Sequence, residues 1–209
     1  MKDFPIFDTE FGIASLILKE IPQRETAYII LRDSLEPEKL LAECIQFCRM
    51  CGAEIIDATG DPMLEKYPLT TAIYAMQCPR EALESTEACL FPVTEQTLSR
   101  WLQIYNERMA AVPNAAYMDS RAGRELLKTG DGYFVHRSGK LLGIGRASGN
   151  MIDWVASVEP GAGADVVAAL SHALSDSTVV LVVASENPKA LALYRGLGFV
   201  PVKEISRWF

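Results

Sequence analysis

The sequence predicts an α/β fold, strands alternating with helices, with a partial copy of the same arrangement N-terminal to it. Three observations carry this. Apolar strand-like runs alternate with helical periods along the whole chain. Two similar strings, Ala58-Thr59-Gly60-Asp61-Pro62 and Ala184-Ser185-Glu186-Asn187-Pro188, each follow a helix and an apolar strand, which reads as a duplication. With 49% hydrophobic and 22% charged residues over 209 positions, the chain can bury a core in one domain or two small ones. The pattern restarts near residue 88, so the expected domains are 1–88 and 89–209.

The elements follow in order. "FGIASLILKE" and "ETAYIILRD" read as strands joined by a turn around Pro22. "PEKLLAECIQFCRMCG" reads as a helix, with Pro37 at its first position and Gly52 just past its end. "AEIIDATG" and "LTTAIYAM" read as strands. In "TEQTLSRWLQIYNERMAAV", Leu98, Trp101, Leu102, Tyr105 and Met109 recur at helical spacing, with Thr94 as the expected N-cap. "DSRAGRELLKTG" is a second helix, and "DGYFVHRSGKLLGIGRA" a hairpin turning at Ser138-Gly139. "MIDWVASV" is a strand, "GADVVAALSHAL" a helix and "TVVLVVAS" a buried strand. "NPKALALYRG" is a helix opened by Asn187-Pro188, and "FVPVKEIS" a last strand.

The totals exclude several function classes. Net charge is −7 with no Lys/Arg cluster, which argues against nucleic acid as a partner. An acidic balance suits a neutral or cationic substrate. "VVLVVA" is too short to span a bilayer, and "MKDFPIFDTEF" has no apolar signal core. Five cysteines do not make a disulfide scaffold, and a cytoplasmic location is the simplest expectation.

Other chemistry-bearing residues have plain readings. Cys44, Cys48 and Cys51 have iron–sulfur spacing, but i, i+4, i+7 also fits one face of a helix with Leu41, so no metal is expected. His136 and His172 read as surface residues. Asp153 and Glu159 flank the strand "MIDWVASV", and either could deprotonate an ammonium directly or through water. Lys189 and Arg195 read as exposed helix charges that could also meet phosphates.

Residues 89–209 resemble the GNAT superfamily of N-acetyltransferases. The order strand, two helices, antiparallel meander, helix, strand, helix, strand is similar to that family's. So is "VASENPKALALYRGLGF", with its strand, Asn187, Tyr194 and Leu197-Gly198-Phe199. "VEP" at 158–160 before Gly161-Ala162-Gly163 is a second, weaker match. Residues 1–88 resemble only part of such a domain.

The resemblance implies an α/β fold with a mixed, mostly antiparallel sheet flanked by helices, and acetyl transfer from acetyl-CoA to the amine of a small molecule or peptide. Backbone near Trp154, Val155 and Ala156 would meet the pantetheine arm and the carbonyl oxygen. Gly161, Ala162, Gly163 and Ala164, turning into a helix N-terminus, would take the pyrophosphate. Asn187 would cap its helix and line the cofactor channel, and Tyr194 would protonate the departing sulfur. Packing alone remains the other reading of Tyr194. Val158 stands where the family has Arg or Gln, and the loop is short. A non-catalytic, ligand-sensing module is therefore the alternative. The family also has a further strand that inserts beside the one matching "TVVLVVAS", and no residues remain for it after "FVPVKEIS". "PLTTAIYAMQC", from the same chain or from the partner in a homodimer, is expected to fill that place.

Overall fold

The computed structural model describes residues 5–209. It contains two compact units. One runs through Ala72 and takes in Ser206–Phe209; the other is Ile73–Ile205. The position near residue 88 where the pattern restarts lies inside the second unit.

In the first unit, β1 (Ile6–Thr9), β2 (Gly12–Ile17), β3 (Thr26–Ser34) and β4 (Ile55–Thr59) form a sheet in that order. β1 carries no clear alternation and was not expected. Where a turn around Pro22 was expected, the chain makes a single helical turn, α1 (Ile21–Arg24). α2 (Pro37–Met50) starts with Pro37, whose missing N–H costs nothing in a first turn. It buries Leu40, Leu41, Cys44 and Cys48 against the sheet, while Cys51 lies exposed just past its end. Burial pushes the thiol pKa of Cys44 up to about 12 and that of Cys48 to about 11, which disfavours metal-binding thiolates. β3 and β4 form a parallel ladder, paired continuously from Thr26↔Ile55 to Ile30↔Thr59. After β4, Asp61 caps a short 3₁₀ turn, accepting the Met63 N–H at 2.8 Å, with Pro62 leading it. Asp61-Pro62 holds the place in its string that Asn187-Pro188 holds in the other.

The second sheet has seven strands. They are β5 (Thr71–Pro79), β6 (Cys89–Pro92), β7 (Gly132–Arg137), β8 (Lys140–Ser148), β9 (Met151–Ser157), β10 (Thr178–Ala184) and β11 (Val200–Trp208), in the order β11-β5-β10-β9-β8-β7-β6. β5 pairs antiparallel with β10 along the whole of β10, Thr178↔Pro79 to Ala184↔Ile73. The segment "TTAIYAMQC" therefore occupies the place left open beside "TVVLVVA", in the same chain. The β7–β8 hairpin turns at Ser138 (φ 51°) and Gly139 (φ 77°), the left-handed pair that matches strand twist.

Helices α3 (Leu98–Met109), α4 (Ser120–Thr129), α5 (Gly163–Ser171) and α6 (Pro188–Gly196) complete this fold. Thr94 was expected to cap α3. Instead Thr97 stands at the N-cap position, and Thr94 begins the turn before it, its carbonyl accepting the Leu98 N–H at 2.9 Å. Asp119 caps α4 by accepting the N–H groups of Arg121 and Ala122, and Gly130 ends it with φ 69°. α5 buries Val166, Val167 and Leu170 completely, as their helical spacing predicts.

Gly143 of β8 sets how closely α5 approaches the sheet. A Cβ there would lie 2.5 Å from the Ala156 carbonyl oxygen and 2.7 Å from Val166 Cγ2. Gly143→Ala should therefore cost about 1–3 kcal/mol through overpacking. The expected result is a Tm lower by about 3–10 °C in a thermal melt; an unchanged Tm would show that α5 shifts freely.

Candidate active site

The site begins where two parallel strands part. β9 and β10 pair at only two positions, Val180↔Met151 and Leu181↔Ile152. Beyond them the strands diverge, and the edge of β9 from Asp153 onward has no strand partner on that side. The β8–β9 register helps produce the opening. Arg146 faces Asp153 and Ile144 faces Ala156, so Gly145 alone opposes both Trp154 and Val155. That is a β-bulge, and Trp154 takes φ 54° within it. A non-glycine residue at positive φ is strained and must be held by its surroundings. The Trp154 ring meets Trp101 and Tyr105 edge-on at 6.3 and 6.1 Å, and the Arg146 guanidinium lies 5.0 Å over it.

Two cavities open from the parted strands. The first, of about 500 Å³, is lined by Val155, Ala156 and Ser157 of β9, Gly161 and Gly163 of the following turn, Asn187, Lys189, Ala190, Leu193 and Tyr194 around α6, and Arg108, Met109 and Val112 at the end of α3. The second, of about 410 Å³, continues past Asp153, Trp154, Val182 and Val183 to residues 112–116. Met109, Val112, Val155, Asn187, Ala190 and Tyr194 line both, so Tyr194 stands where they meet.

Each anticipated residue has a definite place. Val155, Ala156, Gly161, Gly163, Asn187 and Tyr194 line the first cavity, and Trp154 the second. Asn187 Oδ1 accepts the Ala190 N–H at 3.2 Å and caps α6. Gly161 turns the chain with φ 81°, and Gly163 opens α5. A Cβ on Gly163 would lie 2.6 Å from Leu193 Cδ2, so glycine allows α5 and α6 to meet here. Val158, Ala162 and Ala164 do not line either cavity. The Val158 N–H donates to the Leu142 carbonyl at 2.8 Å, and Ala162 packs into the core with its N–H on Glu159 O.

Tyr194 is 7% exposed, with its ring 5.8 Å from that of Phe199. Burial pushes its phenol pKa up to about 12. Asp153 also has a raised pKa, chiefly because it is buried; the nearby Arg146 opposes the shift, and Asp131 adds a smaller push upward. Arg146 is committed mainly to Asp131, with contacts of 2.7 and 2.8 Å against 3.6 Å to Asp153. Glu159 lies apart from both cavities, paired with Lys140 at 3.2 Å.

Arg108 was missed in the sequence. It sits in the last turn of α3, donates to the Val158 carbonyl at 3.0 Å and lines the first cavity with Lys189. Its only signal was its place beside Met109, on a helix whose other face is core. Thus two cations from other elements line the cavity that the glycine turn also lines.

Among solved structures the chain is similar to a functionally unknown conserved protein from Staphylococcus epidermidis, with TM-score 0.59, 12% identity, and coverage of 99% of this chain and 92% of that one. It is also similar to a GCN5-related N-acetyltransferase from Anabaena variabilis, with TM-score 0.59, 14% identity, and coverage of 88% of this chain and 54% of that one. The fold is the GNAT fold. A tandem GNAT protein from the clavulanic acid biosynthesis pathway matches over 95% of this chain and 77% of its own length, at TM-score 0.50 and 16% identity. No protein-family model and no curated protein matches the sequence. No helix among the described residues is long and apolar enough to cross a membrane. No group of three or more His, Cys, Asp or Glu residues among them could hold a metal ion.

Proposed function

We propose that this GNAT-fold protein is an N-acetyltransferase that moves an acetyl group from acetyl-CoA to an amine. The observation that carries the reading is the meeting of the two cavities at Tyr194, between strands that part after Ile152 and Leu181. The residues present fit a coenzyme A thioester. The unpaired edge of β9 offers backbone N–H groups to a pantetheine arm and a carbonyl oxygen. The first turn of α5 after Gly161 offers N–H groups to a pyrophosphate, as unpaired amides at a helix N-terminus do. Arg108 and Lys189 add positive charge on that side.

When bound, acetyl-CoA supplies the activated acyl group. The chain's residues do the rest. Asp153, in the second cavity, accepts a proton from the incoming ammonium, directly or through water. Tyr194 Oη donates a proton to sulfur. Because the Asp153 pKa is raised, its basic form is lost on acidification sooner than that of an ordinary aspartate. The acid limb of a kcat/KM profile should therefore move when Asp153→Asn removes the group, with turnover down about 10- to 100-fold.

A non-catalytic ligand sensor is the second reading, favoured by Val158 and its occupied N–H. Calorimetry with acetyl-CoA separates the two. The expected result is micromolar binding at one molecule per chain, because the closed β3–β4 ladder of the first unit lacks the opening found between β9 and β10. No heat at millimolar acetyl-CoA would remove the acetyltransferase reading.

A further inference from the structure

The acceptor side of the site has a one-sided charge that narrows its substrate. Of the residues lining the 410 Å³ cavity, Asp153 alone is charged, and no Lys, Arg or His is among them. The cations of the site, Arg108 and Lys189, line the other cavity. Arg146 pairs with Asp153 at 3.6 Å but neutralises it only in part. It is shared with Asp131, so the three side chains together carry one net negative charge. An ammonium beside Asp153 is attracted. A carboxylate on the same molecule would be desolvated without a counter-ion, which costs several kcal/mol for a buried ion. The remaining wall is mostly apolar, from Ile73 and Val182 to Ala115.

Asn114 brings an uncommitted polar group to this wall. Asn114 takes φ 57° in the loop after α3, and its Nδ2 is buried with no hydrogen-bond partner. An orphaned buried donor costs about 1–3 kcal/mol, recovered when an acceptor reaches it. With no cation nearby, a neutral oxygen is the better match.

We propose that the acceptor is a small, apolar primary amine bearing a neutral carbonyl, of the amino-acid-amide type, and that free amino acids are excluded by charge. This rests on the acetyl-transfer reading for the amine's fate, but recognition can be measured without transfer. The experiment is calorimetry of the full chain, alone and saturated with CoA, titrated with leucinamide, isoamylamine and leucine. Leucinamide should bind at least tenfold more tightly than leucine. Asp153→Asn should weaken leucinamide about tenfold or more. Asn114→Gly, which a positive-φ backbone accepts readily, should weaken leucinamide about 5- to 10-fold and leave isoamylamine unchanged. Equal binding of leucine and leucinamide, or equal losses for both amines in Asn114→Gly, would overturn the proposal. So would CoA binding with no amine bound. Amine binding in this order with no CoA binding would instead sustain the recognition and overturn the transfer reading.

Discussion

Tyr194→Phe should lower turnover about 10- to 1000-fold and leave acetyl-CoA affinity nearly unchanged. The ring is held by packing, 7% exposed against Phe199, and phenylalanine keeps those contacts. Only the hydroxyl is lost, from a residue that lines both cavities. With its pKa at about 12, Tyr194 stays protonated at any physiological pH and is always ready to donate. Steady-state kinetics beside calorimetry is the check. Full turnover in the mutant would make Tyr194 a packing residue and leave the sulfur to another donor.

Much of this frame was legible because local chemistry and tertiary structure agree. Asn187-Pro188, Asp119 with Gly130, and Ser138-Gly139 each mark an element boundary by a side-chain cap or a left-handed turn, and each lies where the structure needs it. Features made by distant packing were not legible. Nothing in Asp153-Trp154-Val155 announces a bulge, since tryptophan is a poor residue for φ 54°, and the conformation is fixed by Gly145, Trp101 and Tyr105. Arg108 reads as one more exposed helix charge until α3 is set against the loop at Val158. Conversely, Val158 matched a motif position in sequence, but its N–H is taken by Leu142. The turn expected at Pro22 failed differently: proline suits the first turn of a helix as well as it suits a turn. The boundary expected near residue 88 followed the order of elements along the chain, whereas the expected pairing of "PLTTAIYAMQC" with "TVVLVVAS" already carried β5 into the second sheet.

That placement of β5 has the largest consequence for stability. A fragment of residues 89–209 should be insoluble or unfolded, whereas one of residues 71–209 should keep the second sheet. Removing β5 strips β10 of its ladder from Thr178 to Ala184 and leaves β11 without its neighbour. The exposed edge would be "TVVLVVA", apolar along its length and without a charge to discourage pairing with other chains. Met76 and Cys78 of β5 are each 1% exposed and pack in the same core as Val179, Leu181 and Tyr194. Losing them opens that core beside the candidate acid as well as the sheet edge. Each large buried side chain removed costs about 2–5 kcal/mol, against a total stability of about 5–15 kcal/mol for a domain. The two losses with the unpaired ladder are enough to unfold it. Size-exclusion chromatography and circular dichroism of the two fragments make the comparison. A monomeric, soluble 89–209 fragment with the melting temperature of the longer one would mean that β10 tolerates an open edge, and that β5 is an accessory rather than an integral part of the second sheet.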